Sequence, residues 1–502
     1  MKIKNLKYFV IAGLSVTALT SCTKDFLEQT PTGQYLSANY YQNRDQAFSG
    51  LVAVYDGLRK NSGGFENMIT MMNAGSDDHV AGGGGSSDGI GIQAFSNYTA
   101  SGTTMPVSFW NDHFQGIANA NILLQKLPNT QMDNNEKVRF VAETKALRAL
   151  YYFNLVRMFK NIPLILEPVT TENMYNIPQA TPVAVYTQIE NDLLSAINDL
   201  PTSIPSSESG RISKGAAKAI LGKVYLYNGK NALAAAQLAE VNGTPGSTSA
   251  FGYKLLSNFS DLWNTSNKFN SESILEVAHT SAGNSYWGIW GSGKDEGNSV
   301  NVMVGPRGYV KISPSAPSLP SGWSFNMITQ DLYDAIKLDP RFGATVLDLK
   351  AMKLAGTADY IAGYQDTGYF LNKFVPRQSD VTTGQGDAVL NYKQDTYVIR
   401  LADTYLLEAE ALGGTGARAQ ALLDAVRARV GLASVPVSLT AIKNERRLEL
   451  AGEGHRFFDL VRWGDAATKL ASRGFVAGKH EIFPIPYKEL ENTKLVQNPG
   501  YN

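Results

Sequence analysis

Cysteine is nearly absent from this 502-residue sequence: Cys22 stands alone. A single thiol excludes a disulfide within the chain, and with it the stapled scaffolds of small secreted domains. Charge of one sign is missing too, since 45 Lys and Arg meet 45 Asp and Glu. Nothing therefore draws the chain to nucleic acid or to anionic lipid by net charge. The five histidines, at 79, 113, 279, 455 and 480, are scattered. None has a second histidine at the spacing of H-E-x-x-H, so no metal site is read from them. No G-x-x-x-x-G-K-[ST] phosphate loop occurs, and Gly89-Ile-Gly-Ile-Gln-Ala94 fits G-x-G-x-x-A without a strand before it or a βαβ unit around it. Asp77, Asp78 and Asp88 could meet a calcium ion in principle, but their spacing fits no calcium loop and reads better as a solvated turn.

What is present begins at the N-terminus. Lys2, Lys4 and Lys7 precede an apolar run from Tyr8 to Leu19, too short to cross a hydrocarbon core of about 30 Å. Leu19-Thr-Ser-Cys22 then resembles a bacterial lipobox. Residues 1–21 are expected to be a signal peptide and Cys22 to carry lipid. Thr23 to Gly33 reads as a tether to a folded unit that runs to residue 502.

Helical periodicity dominates that unit. Phe48, Leu51, Val52, Tyr55 and Leu58 share one face, as do Phe140, Leu147, Tyr151, Leu155 and Met158. Phe109–Leu127, Val183–Leu200, Ser213–Tyr227 and Ala232–Val241 continue the pattern, and Val398–Leu412, Arg418–Val430 and Leu439–Gly464 resume it. The spacing predicts a mainly α fold, and its paired amphipathic helices over about 36–245 and 396–470 suggest a scaffold of helix–turn–helix repeats of the tetratricopeptide-like kind. No clean 34-residue register shows, so the repeat reading leans on a family resemblance. Gly63 to Ala100 loses periodicity and reads as a long loop. Between about 246 and 395 lies a loop-rich, partly β insertion, with one helix expected from Phe325 to Leu338. Ser281–Ser324 holds eight Gly and four Pro, which no helical repeat tolerates.

Near the end, Glu445, Glu449 and Glu453 recur every four residues among Arg446, Arg447, Arg456 and Arg462. Leu448, Leu450, Phe457, Phe458 and Trp463 interleave with them, so the charges are expected to be paired inside a packed helix pair, with the arginines of the same stretch as partners. Paired carboxylates of this kind stay ionised and make poor acids for glycoside hydrolysis, and no catalytic residue is assigned.

Glu445-Arg-Arg-Leu-Glu-Leu-Ala-Gly-Glu-Gly-His-Arg-Phe-Phe-Asp-Leu-Val-Arg-Trp463 resembles the C-terminal signature of the SusD/RagB family of outer-membrane glycan-binding lipoproteins. Ile482-Phe-Pro-Ile-Pro486, Gln497-Asn-Pro-Gly-Tyr501, Thr396–Glu410, Val426–Leu432, Gly210–Ala217 and Arg148–Tyr152 also fit the family pattern. The resemblance implies a helical-repeat scaffold with irregular segments on one side. It also implies a lipid-anchored protein of the outer membrane, facing the exterior, that captures oligosaccharide or polysaccharide without cofactor or bond cleavage. Its implied partner is a SusC-like TonB-dependent transporter. A protein that binds peptide or protein, or serves chiefly as the transporter's lid, is the alternative.

The family's motifs do not reach the glycan site, so its residues are read from composition. An exposed indole offers a flat apolar platform for the C–H face of a sugar, while polar neighbours take the hydroxyls. Tyr286-Trp-Gly-Ile-Trp290 places two indoles beside glycine, and Trp323 follows Pro320-Ser-Gly. Trp287, Trp290, Trp323, Tyr286 and Tyr98 are the candidate glycan-binding residues, with Asn284, Lys294, Asp295 and Asn301 as polar edges.

Overall fold

The protein, a computed structural model, is described over residues 40–283, 285–291 and 295–501. Cys22, Asn284 and Lys294 lie outside these residues. Among the described residues the first eight α-helices are α1 (Arg44–Tyr55), α2 (Met68–Ala74), α3 (Ile90–Ser96), α4 (Ser108–Lys126), α5 (Asn134–Phe159), α6 (Pro182–Ile197), α7 (Lys214–Tyr227) and α8 (Asn231–Asn242). Local chemistry sets their starts. Asp133 accepts from the Asn135 and Glu136 amides at the head of α5, Thr181 caps α6 ahead of Pro182, and Ser213 caps α7. The apolar stripe of α5 is buried from Phe140 to Met158.

Neighbouring helices pack in sequence: α4 on α5, α5 on α6, α6 on α7 and α7 on α8. The next layer comes from far along the chain. Helix α9 (Leu401–Ala411) lies against α8, and α10 (Gly416–Arg429) lies against α9. The insertion leaves the stack and returns to it through an antiparallel strand pair, β1 (Ser273–Val277) with β2 (Thr396–Arg400). The fold is mainly α, as periodicity predicts. The insertion holds its own apolar cluster, with Val300, Ile328, Leu332, Leu349, Phe370 and Phe374 at its centre.

Three expectations are corrected. Gly63–Ala100 is not one long loop, because α2 and α3 lie within it. All seven residues of α2 are buried, so it has no polar face to create a period. The helix expected from Phe325 to Leu338 is only Gln330–Ile336, capped by Thr329. Phe325 and Ile328 instead bridge to Gly82 and His79. Leu439–Gly464 is not one helix but α11 (Leu439–Glu449) and α12 (Arg456–Trp463). The break falls where Gly452 and Gly454 take φ of 78° and 82°, backbone that suits glycine. Asn73 ties this turn to α2, donating to the Gly452 carbonyl at 2.8 Å and accepting from the Gly454 amide at 3.1 Å.

The paired charges are buried, but the partners differ from those expected. Glu449 meets Arg400 at 2.6 Å, Arg341 at 3.0 Å, and Arg429. Glu445 meets Arg341 and Arg427, and Glu453 meets Arg400 and Lys373. The arginines of the signature turn elsewhere: Arg446 to Asp403 and Asp459, Arg447 to Asp78 and Asp331, Arg456 to Asp77. On a helix, residues three and four apart sit close only on one face, and here that face is filled by cations from the insertion, β2 and α10. The stripe therefore clamps the insertion to the scaffold. Burial alone would raise the Glu449 carboxyl, but Arg429, Arg400 and Arg341 overcome it and hold the group well below the usual carboxylate range.

Candidate functional site

Trp287, Trp290 and Trp323 come together on the insertion. Trp287 and Trp323 stack at 5.8 Å between ring centroids and 27° between planes. Trp290 meets both nearly edge-on, 5.6 Å from Trp287 and 5.5 Å from Trp323. Contacts of this geometry are worth about 0.5–1.5 kcal/mol per pair beyond the area they bury. The three rings thus hold one another in place before any ligand arrives.

Each ring is fixed from the backbone upward. The Trp287 amide donates to Asp387 Oδ2 at 3.0 Å. The Trp290 indole N–H donates to the Ser299 hydroxyl at 3.0 Å, and the Gly64 amide donates to the same oxygen at 2.9 Å. The Trp323 amide donates to the Val302 carbonyl at 2.9 Å. Trp290 and Trp323 are half-buried, whereas Trp287 is 52% exposed. Trp287 therefore offers a ring to solvent, backed by Trp323 and braced by Trp290. Tyr286, 51% exposed, stands on the same turn.

Tyr98 does not belong to this surface. It is only 8% exposed, its hydroxyl donates to the Gly75 carbonyl, and its ring meets Phe475 edge-on at 5.1 Å. Burial pushes its phenol well above the usual value. Two of the expected polar edges are also buried. Asn301 donates to the Phe374 carbonyl and to Gln394 Oε1, and Asp295 accepts from the Gly291 amide at 3.1 Å. They shape the loops rather than line them.

Sequence reasoning missed Phe65, whose ring lies 6.2 Å from Trp290, 6.3 Å from Trp323 and 5.1 Å from Phe325. It extends the aromatic cluster under the platform. Its one signal was the preceding Gly63-Gly64, inside the stretch read as a loop. Arg307 and Asp88 lie beside the Trp323 loop as well. Their side chains lie 3.5 Å apart, and Arg307 Nη2 donates to the Trp323 carbonyl at 3.4 Å.

Asp77, Asp78 and Asp331 bring carboxylate oxygens within 4.8 Å of one another. Two guanidinium groups already lie among them, Arg447 at 2.7 Å from Asp78 and Arg456 at 2.8 Å from Asp77. Asp78 is buried and Asp77 partly so, while Asp331 is exposed, so this is an ion cluster that runs from the interior to the surface rather than the solvated turn expected, and Asp88 stands apart from it beside Arg307. A dication would have to displace both arginines. The donor set does not fit one.

Residues 272–501 match the SusD family, and residues 65–226 match a family described as starch-binding and associating with the outer membrane. A solved laminarin-binding SusD-like protein is 67% identical, with a TM-score of 0.91 over 92% of this chain and 100% of that one. Surface glycan-binding protein A from Bacteroides thetaiotaomicron is 25% identical, with a TM-score of 0.81 over 92% of this chain and 100% of its own. SusD-like protein P25 of Formosa agariphila is 26% identical over 100% of this chain and 99% of that protein. With its helical scaffold, its buried C-terminal ion clamp and relatives that align over nearly the whole described chain, the protein belongs to the SusD family.

Proposed function

We propose that this protein binds a laminarin-type glucan, with the sugar faces laid on the Trp287–Trp290–Trp323 platform. The observation that carries the reading is the convergence of three indoles from two separate loops into one braced cluster, with the most exposed ring outermost. A flat apolar ring fixed at the surface matches the C–H face of a pyranose, and its burial under a sugar removes apolar area from water. The 67% identity to a protein named for laminarin binding supports the glucan as ligand.

The wider role we propose follows the family. Lipid on Cys22 would hold the protein on the outer membrane, facing the exterior, and the captured glycan would pass to a SusC-like TonB-dependent transporter. The site binds and releases without bond cleavage.

A panel of laminarin, starch, mannan and xylan, titrated while indole fluorescence is followed, tests the ligand. Laminarin should shift the emission, because stacking displaces water from the rings. No shift with any glycan, and no heat of binding, would favour the transporter-lid reading. Shortened products after long incubation would indicate a hydrolase instead.

A further inference from the structure

We propose that Arg307 and Asp88 form the hydrogen-bonding edge of this platform and read two free hydroxyls of one sugar ring, those on C2 and C4 in a 1→3-linked glucan, beside Trp323. The inference rests on the platform reading above and adds the pair that fixes ring orientation.

Arg307 is bound to the platform at both ends. Its amide donates to the Ser324 hydroxyl at 2.9 Å, and its Nη2 donates to the carbonyl of Trp323 at 3.4 Å. Asp88 is set opposite by the Gly-rich loop, where the Gly84 amide donates to Asp88 Oδ2 at 2.7 Å. The run Gly82–Gly85 has a purpose here. A Cβ on Gly84 would stand 3.1 Å from Arg307 Nη2 and 3.1 Å from Asp88 Oδ2, and one on Gly83 would strike the Phe325 ring at 2.5 Å.

The pair has little structural work to do. Its side chains are 36% and 40% exposed and 3.5 Å apart, and ion pairs of that kind contribute almost nothing to stability. Yet both groups are held in place with capacity to spare. A guanidinium carries five N–H donors in a rigid fork, and a carboxylate accepts at two oxygens. Arg307 Nε, by contrast, is buried without a partner among the described residues, so the outer nitrogens are the ones that face solvent. Each free hydroxyl of a sugar ring both donates and accepts. A donor fork beside an acceptor therefore satisfies two hydroxyls of one ring together, while the ring face rests on indole.

The test is calorimetry with laminarihexaose on wild type, Arg307→Ala, Arg307→Lys, Asp88→Asn and Trp287→Ala, with melting curves alongside. Arg307→Ala and Asp88→Asn should each weaken binding about tenfold at an unchanged melting temperature, since hydrogen bonds to charged groups are worth that much. Arg307→Lys should recover part of the loss, keeping the charge without the fork. Wild-type affinity in Arg307→Ala and Asp88→Asn, with Trp287→Ala weakened, would overturn the inference and leave the platform standing. Wild-type affinity in Trp287→Ala would overturn the platform itself.

Discussion

Aromatic residues that look alike in sequence separate by what their polar atoms do. Tyr98 spends its hydroxyl on the Gly75 carbonyl inside the core, whereas Trp287 is held through its backbone amide and keeps its ring for solvent. Tyr98→Phe should therefore cost about 0.5–1.5 kcal/mol of stability and leave glycan affinity unchanged. Urea unfolding and a laminarin titration check both halves, and lost affinity in a stable variant would return Tyr98 to the site. Glu449 is the stricter case. Three guanidinium groups converge on one fully buried carboxylate. Glu449→Ala would leave those cations facing an empty space, at a cost of about 3–5 kcal/mol. A large drop in melting temperature is expected, with normal affinity in whatever remains folded. A fully stable variant that no longer binds glycan would place the stripe in the site instead.

Strands β1 and β2 carry a pH-sensitive contact where the insertion joins the scaffold. Glu276 accepts from the Phe269 amide at 2.9 Å, and nearby Asp395 accepts from Lys268 and from the His279 amide. Burial, and then the neighbouring Asp395, pushes the Glu276 carboxyl up to about 8. A carboxyl raised above its unfolded value of about 4.5 contributes stability that is complete below that pH and lost as pH rises through the folded value. Wild type should therefore lose its advantage over Glu276→Gln steadily between about pH 5 and pH 9. Melting curves of the two proteins across that range check the sign, and a constant difference would mean that Glu276 does not hold its proton. The same strand pair shows where sequence reading stops. The stripe of α5 was legible because one face of that helix is buried and the other wet. Helix α2 was not, because it is buried on every side. The break between α11 and α12 falls at glycines, and Gly452 also answers to a distant side chain, since a Cβ there would strike Leu371, about eighty positions away. Trp287, Trp290 and Trp323 stood out because glycine and proline exclude a helix around them. Phe65 and Arg307 reach the same surface only through the folding of the loops that carry them. Partner choice in the ion clamp was equally hidden: periodicity showed a charged stripe, but not which distant arginines would cover it.

At the scale of the whole molecule, a helical stack carries a loop-built insertion, and buried charge locks the two together. Cys22→Ala should leave this unit folded but release it from the membrane fraction, and fatty-acid labelling should vanish. Persistent labelling and outer-membrane fractionation in that variant would rule out Cys22 as the anchor. In the proposed function the tryptophan platform holds the glucan. Isothermal calorimetry of Trp287→Ala against laminarihexaose, beside wild type and paired with melting curves, addresses it most directly. Loss of one stacking ring should weaken binding by about 1–3 kcal/mol, taking base–aromatic stacking as the measured analogue, or about fivefold to more than a hundredfold. The melting temperature should fall only slightly, because the lost ring is half in water and gives up two ring contacts of about 0.5–1.5 kcal/mol each in a chain of this size. Wild-type affinity in Trp287→Ala, or a loss of affinity matched by a loss of several kcal/mol of stability, would contradict the account.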